Sequence, residues 1–284
     1  MKVLFANIED VMREAAARWT LIAYFCLSTL FVIIFAFSVN LDVVDGALAG
    51  AKLFGNNVNM NGSSVSIEKV VLGFESGFSG FLYFLCTFLA IFATAHLVPR
   101  MQEKGTVDLY LSRPISRFKL LMSRYFAGLI LAGTNIAYLI GSMWLIVVWK
   151  THVVHPRFLL AGLIIFFVVA TLLAFAFLIG VVTSSTAVSI MSSYAVFFFG
   201  FMLAGHKRFA AAVSKEWQAG LINGLYWVLP KTAEMFGAVI SFVSEQRLPR
   251  ELGGALTPTP FLATGAFAVG CLALASWLFH RKEF

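Results

Sequence analysis

Four stretches of this chain, 19–41, 76–99, 125–149 and 252–280, contain no Asp, Glu, Lys or Arg. Each is long enough for a membrane-spanning helix, which needs about 20 apolar residues to cross a hydrocarbon core of roughly 30 Å. A fifth uncharged stretch, 158–206, is about twice that length. As one helix it would overshoot the bilayer at about 1.5 Å per residue. It must fold back, and Thr183-Ser-Ser-Thr186 in its middle supplies the turn. The count is six spans. Composition excludes the soluble alternative: with 60% hydrophobic residues, 12% charged ones and 30 Phe, the chain has too little polar surface to coat a water-exposed core.

The first apolar run is too long for a signal-peptide core and reads as a retained helix. Cys26, Cys86 and Cys271 all fall inside spans, without CxxC spacing, and read as small packing residues rather than a disulfide framework or metal site. The net charge of +7 sorts by position. With both termini on the cytoplasmic side, Lys2, Arg13, Arg18, the basic residues from Arg100 to Arg124, and Arg281-Lys282 all lie inside, as the positive-inside rule favours. The basic excess therefore explains topology and implies no nucleic acid.

Outside the spans, residues 1–18 place Val3, Leu4, Ile8, Val11, Met12 and Ala15 near helical spacing with charges between them. That pattern predicts an amphipathic helix on the cytoplasmic interface. The outer loop 40–76 combines Asn/Gly/Ser turn chemistry with rough alternation over 64–71, which suggests a small hairpin. Asn61-Gly-Ser63 matches the glycosylation pattern, a short match frequent by chance. In 207–259, the apolar runs 217–230 and 235–244 are too short to span and predict re-entrant or interfacial helices. Trp217, Tyr226 and Trp227 suit the headgroup level, and Pro249, Pro258 and Pro260 break the chain before the last span.

The one densely charged stretch, 100–119, lies between spans two and three. Thr106 is a good helix N-cap, and Asp108 puts a negative charge in the first turn. Val107, Tyr110 and Leu111 share a face, Pro114 forbids continuation, and Ser116 can cap the next helix. The product is one or two turns of helix across the cytoplasmic mouth, joined to two spans. A plain solvated loop that enforces orientation is the competing reading.

In Glu103-Lys-Gly-Thr106 and Leu111-Ser-Arg-Pro-Ile-Ser-Arg117, the chain resembles the ABC-2 family of transporter permeases. The motif covers roughly 25 residues; the plan of six spans, amphipathic first helix and short outer helices covers the whole chain. The resemblance implies an all-α polytopic membrane protein, N-in and C-in, forming a single permease domain over 1–284. Its parts are an interfacial helix 1–18, spans at 19–39, 77–98, 120–148, 158–182, 187–206 and 260–280, an outer loop 40–76, a coupling segment 99–119 and outer helices within 207–259. It further implies an exporter in a bacterial inner membrane, paired with a second copy or a paralogue, surrounded by lipid, and driven by cytoplasmic ABC ATPase subunits that bind ATP and Mg. Glu103, Gly105, Thr106, Asp108, Arg113, Pro114 and Arg117 would form the coupling helix docking on that ATPase. No Gly-Lys dipeptide occurs in the chain, so it has no P-loop of its own.

Other polar residues carry weaker signals. His96 sits near the cytoplasmic end of span two and reads as a hydrogen-bonded or snorkelling histidine. His152 and His155 could share a metal, but no carboxylate lies beside them in sequence. Asn135, Ser184, Ser185, Ser189, Ser192 and Ser193 could glue helices or line a path, and the small pairs Gly128/Ala132 and Gly200/Ala204 suit close helix contact. The span interiors show no acidic or basic residue, no HExxH and no GxSxG, which argues against an intramembrane enzyme and against a proton- or sodium-coupled carrier. A Phe-rich lining suits a hydrophobic or amphipathic substrate. A membrane scaffold or sensor anchoring a soluble partner is the alternative from another class.

Overall fold

The computed structural model describes residues 19–44, 47–53, 56–57, 67–102, 116–212, 216–244 and 257–282. The interfacial helix expected over 1–18, the glycosylation match at Asn61 and most of the charged segment (Glu103, Gly105, Thr106, Asp108, Arg113 and Pro114) lie outside them. Five helical runs are long and apolar enough to cross a membrane: Val71–Met101, Arg117–Thr151, Pro156–Thr183, Thr186–Ala210 and Pro258–Arg281. Helix α1 (Trp19–Ser38) is a further apolar helix of 20 residues, a length of about 30 Å that matches a hydrocarbon core. The chain is an all-α polytopic membrane protein with a small antiparallel sheet attached. That sheet joins β1 (Val39–Val44), β2 (Ala47–Leu53) and β3 (Asn56–Asn57) in sequence order, with a register shift at Asp42/Val43.

The hairpin therefore comes earlier than the alternation over 64–71 suggested, and Ile67 already begins helix α2 (Ile67–Thr94). The cause is visible in the next turns. Val71, Phe74, Phe78 and Leu82 fall at i, i+3, i+7 and i+11 and pack on or in the core, so helical periodicity extends outward from the span. Propagating an existing helix gains a hydrogen bond for each residue fixed, whereas starting a strand does not.

After α2 come α3 (Leu97–Met101), α4 (Arg117–Thr151), α5 (Pro156–Thr183) and α6 (Thr186–Met202). The long uncharged run folds back where expected. Helix α5 ends at Thr183, Ser184 takes a left-handed conformation at φ 53, and Ser185 caps α6 by accepting from the Val188 N–H. Pro156 occupies the first turn of α5, where its missing N–H has no cost. Helix α5 is hydrophobic on every side: α4, α2, α6, α10 (Pro258–Arg281) and α9 (Thr232–Ser244) all pack on it, and exposed side chains such as Leu160 and Leu163 are apolar too.

The region before the last span forms α7 (His206–Ala212), α8 (Glu216–Val228) and α9. Helix α9, at 13 residues, reaches about 20 Å and is too short to span. It inserts against α2, α5 and α6, burying Met235, Val239 and Val243. Helix α8 has no buried residue and exposes Trp217, Leu221, Leu225 and Trp227. An aromatic cluster of Tyr83, Phe84, Phe197, Phe201 and Phe236 locks α2, α6 and α9 together.

Candidate functional site

Of the residues expected to form the coupling element, Arg117 is described, and it turns toward its own chain. Its Nη1 donates to the carbonyls of Phe279 (3.4 Å), His280 (3.1 Å) and Lys282 (2.7 Å). The first two are terminal carbonyls of α10, left without intrahelical partners at the negative end of the helix dipole, and the third belongs to the residue that caps it. A guanidinium is well suited to that place.

Lys282 completes the arrangement from the other direction. Its Nζ donates to Gln102 Oε1 (2.6 Å), Val181 O (2.8 Å) and Ser184 Oγ (2.8 Å), one acceptor for each of the three donors of an ammonium. Burial holds this ammonium below the ordinary lysine range. Gln102 also donates through Nε2 to Gly180 O (3.0 Å), and its Oε1 accepts from Ser184 Oγ (2.8 Å). The polar node thus joins the ends of α3, α5 and α10 to the start of α4. Neither Gln102 nor Lys282 stood out in the sequence as a site residue. The available signal was a basic residue just past a helix C-terminus.

At the opposite end of the bundle, the structure corrects two expectations. The span interiors were expected to lack charge, and His155 was expected to lack a neighbouring carboxylate. Glu75 lies inside the span that begins at Val71 and is 1% exposed, with its Oε2 2.6 Å from His155 Nδ1. With Glu75 ionised, the carboxylate accepts and the ring N–H is the donor. The reason for both misses is the same: the charge-free window stopped one residue short of Glu75, whose partner is distant in sequence. Arg124, counted among the cytoplasmic basic residues, is 2% exposed within the bundle. His152 is exposed and ends α4 in a left-handed conformation. Among the described residues, no three of His, Cys, Asp and Glu gather as a metal site would require.

A third polar cluster surrounds the α8–α9 junction. Lys231, 4% exposed, places its Nζ 3.2 Å from the centroid of Tyr226 and donates to the Tyr226 carbonyl. His206 stacks on the same ring with centroids 3.7 Å apart, and the Tyr226 hydroxyl donates to Glu234. Burial lowers Lys231 to about 8, against a smaller opposing effect of Glu234. Tyr226 is pushed up by burial and then by Glu234. Tyr226 therefore faces protein, while Trp217 and Trp227 are exposed.

The remaining polar residues sort cleanly. Asn135 is interhelical glue: Ser28 Oγ donates to its Oδ1 at 2.9 Å, tying α1 to α4. Ser189, Ser192 and Ser193 return their hydroxyls to carbonyls of α6 itself. His96 is buried at the start of α3. Gly128 brings α4 against Leu97 and Leu173, and Gly200 brings α6 against the Pro230 carbonyl. A mainly apolar groove of about 330 Å³ opens between α4 and α5, lined by Gly133, Ile136, Ile140, Gly162 and Phe166 among others. Cys86 and Cys271 are buried and Cys26 is exposed, all as free thiols.

No curated protein matches the chain. A family model described as ABC-2 family transporter protein matches residues 12–284. That match takes in every helix among the described residues and the polar node at the helix ends, and so the chain belongs to the ABC-2 transporter family.

Proposed function

We propose that this chain is the membrane-spanning subunit of an exporter driven by ATP hydrolysed on a separate cytoplasmic ABC ATPase. The observation that carries the reading is the family match over residues 12–284, in a chain with no Gly-Lys dipeptide and hence no phosphate-binding loop. ATP and Mg belong to the partner. The end bearing Gln102, Ser184 and Lys282 faces the cytoplasm, with both termini inside, in agreement with the basic residues concentrated there.

Glu103, Gly105, Thr106, Asp108, Arg113 and Pro114 dock on the ATPase, and Arg117 anchors that segment to the last helix. Its three bonds to the α10 terminus support this division of labour. The chain works in a bacterial inner membrane as a dimer with a second copy or a paralogue. The substrate is hydrophobic or amphipathic, a class to which the apolar groove between α4 and α5 is suited.

Affinity purification of the tagged chain from its native membrane tests the reading. A P-loop ATPase should accompany it, and replacing Glu103 together with Gly105-Thr106 should abolish stimulation of that ATPase by the permease. Recovery of a different soluble protein, with no nucleotide-binding subunit, would instead favour a membrane scaffold.

A further inference from the structure

Lys282 lies one residue beyond the last helix, yet its side chain and backbone together touch four helix ends. The ammonium binds Gln102 after α3, Val181 near the end of α5, and Ser184 in the turn to α6. Its carbonyl accepts from Arg117 at the start of α4. Gln102 and Ser184 also bond each other directly, and Gln102 reaches Gly180 O. Every donor of the ammonium is thereby used, and the Ser184 backbone is held at a positive φ that a serine seldom adopts. Gln102 directly precedes the charged segment 103–115, and Arg117 follows it by two residues.

We infer that Lys282 is the pin of a transmission joint, which makes the ends of α3, α4, α5 and α10 move as one body when the cytoplasmic partner pushes on the segment between Gln102 and Arg117. The inference rests on the coupling reading above and adds the element that receives the force. The turn at Ser184 connects two spans with no slack: α5 ends at Thr183 and α6 begins at Thr186. A displacement of Gln102 is therefore passed to both spans at once. Without the ammonium, Gln102 retains its bonds to Gly180 and Ser184 but loses its tie to α10. The last helix then keeps the Arg117 bonds to its terminus and its packing along α5.

The test uses the full chain assembled with its ATPase in lipid nanodiscs, and compares hydrogen exchange before and after ATP plus vanadate. In the wild-type complex, nucleotide should alter exchange at residues 183–186 and 278–282 together with 103–115. Lys282→Met keeps the aliphatic stem and removes all three donors. It should retain the bound ATPase, its basal hydrolysis and the response at 103–115, while the response at 278–282 is lost and that at 183–186 is reduced. Ser184→Ala, a milder change that leaves the Lys282–Gln102 and Lys282–Val181 bonds, should reduce the response at 183–186 and preserve it at 278–282. An unchanged response in Lys282→Met overturns the joint, as does a wild-type response confined to 103–115. Loss of the ATPase from Lys282→Met also overturns it, because Lys282 would then serve assembly. A wild-type chain that binds no ATPase overturns the coupling reading itself, and the joint with it.

Discussion

The buried Glu75–His155 pair makes a sharp energetic demand. Glu75 is 1% exposed and its carboxylate meets the imidazole at 2.6 Å, while Glu75 Oε1 and His155 Nε2 are buried without another hydrogen-bond partner among the described residues. The pair is therefore each member's principal compensation for lost solvation. Replacing His155 by Leu strands a carboxylate in an apolar surround, a change that typically costs about 3–5 kcal/mol. Replacing Glu75 by Leu strands an imidazole N–H, a neutral donor whose orphaning costs about 1–3 kcal/mol. The double replacement removes both polar groups and should cost less than either single change summed with the other, close to neutral if the leucines pack. At about 2 °C per kcal/mol for a chain of this size, His155→Leu should lower the Tm by about 6–10 °C, Glu75→Leu by about 2–6 °C, and the double variant by much less than the sum. Thermal unfolding in detergent at one fixed scan rate and at pH 7 measures all four proteins, since membrane-protein melts depend on rate. Additive losses in the double variant would refute the reasoning, because independent sites add and coupled ones do not.

Lys231 should make stability rise with pH. Its value falls to about 8 from an ordinary 10.5, so between those limits the unfolded chain holds a proton that the folded chain has released. Stability then climbs from pH 8 upward, by at most about 3 kcal/mol at 1.36 kcal/mol per unit. Tyr226, pushed up by burial, opposes the rise once unfolded tyrosines ionise near pH 10; the window to measure is therefore pH 8 to 10, and Lys231→Met should flatten it. Gly200→Ala should destabilise by about 1–3 kcal/mol, since an added Cβ would lie 2.6 Å from the Pro230 carbonyl, which is backbone and yields little; a melting curve superimposable on wild type would show that α6 and the α9 start can separate freely. Tyr83→Phe removes the 2.7 Å bond to the Thr232 carbonyl and should cost about 1–3 kcal/mol in the same assay, with the aromatic cluster otherwise retained.

The spans were legible from the sequence because a bilayer allows the backbone few solutions. An uncharged run of sufficient length must be a helix, and one of double length must turn, which it does at Ser184. The turn itself was readable from four consecutive hydroxyl residues. The buried charges were not, for a reason that follows from how spans are found. A window that searches for charge-free sequence places its boundary at the first charge, so it reads Glu75 and Arg124 as edges. Both belong to the interior. What moves a charge from edge to interior is a partner on another helix, and Glu75 finds His155 across the bundle. The same holds for Gln102, which read as part of the charged segment after span two and instead bonds Gly180, Ser184 and Lys282. In a chain this apolar, each polar side chain at a span boundary must be hydrated or bonded to another helix. Boundary residues are therefore the place where a reading of the chain should look for the ties between helices. Arg117 illustrates the point: its motif marks it for a partner, and its bonds run to the end of its own chain's last helix.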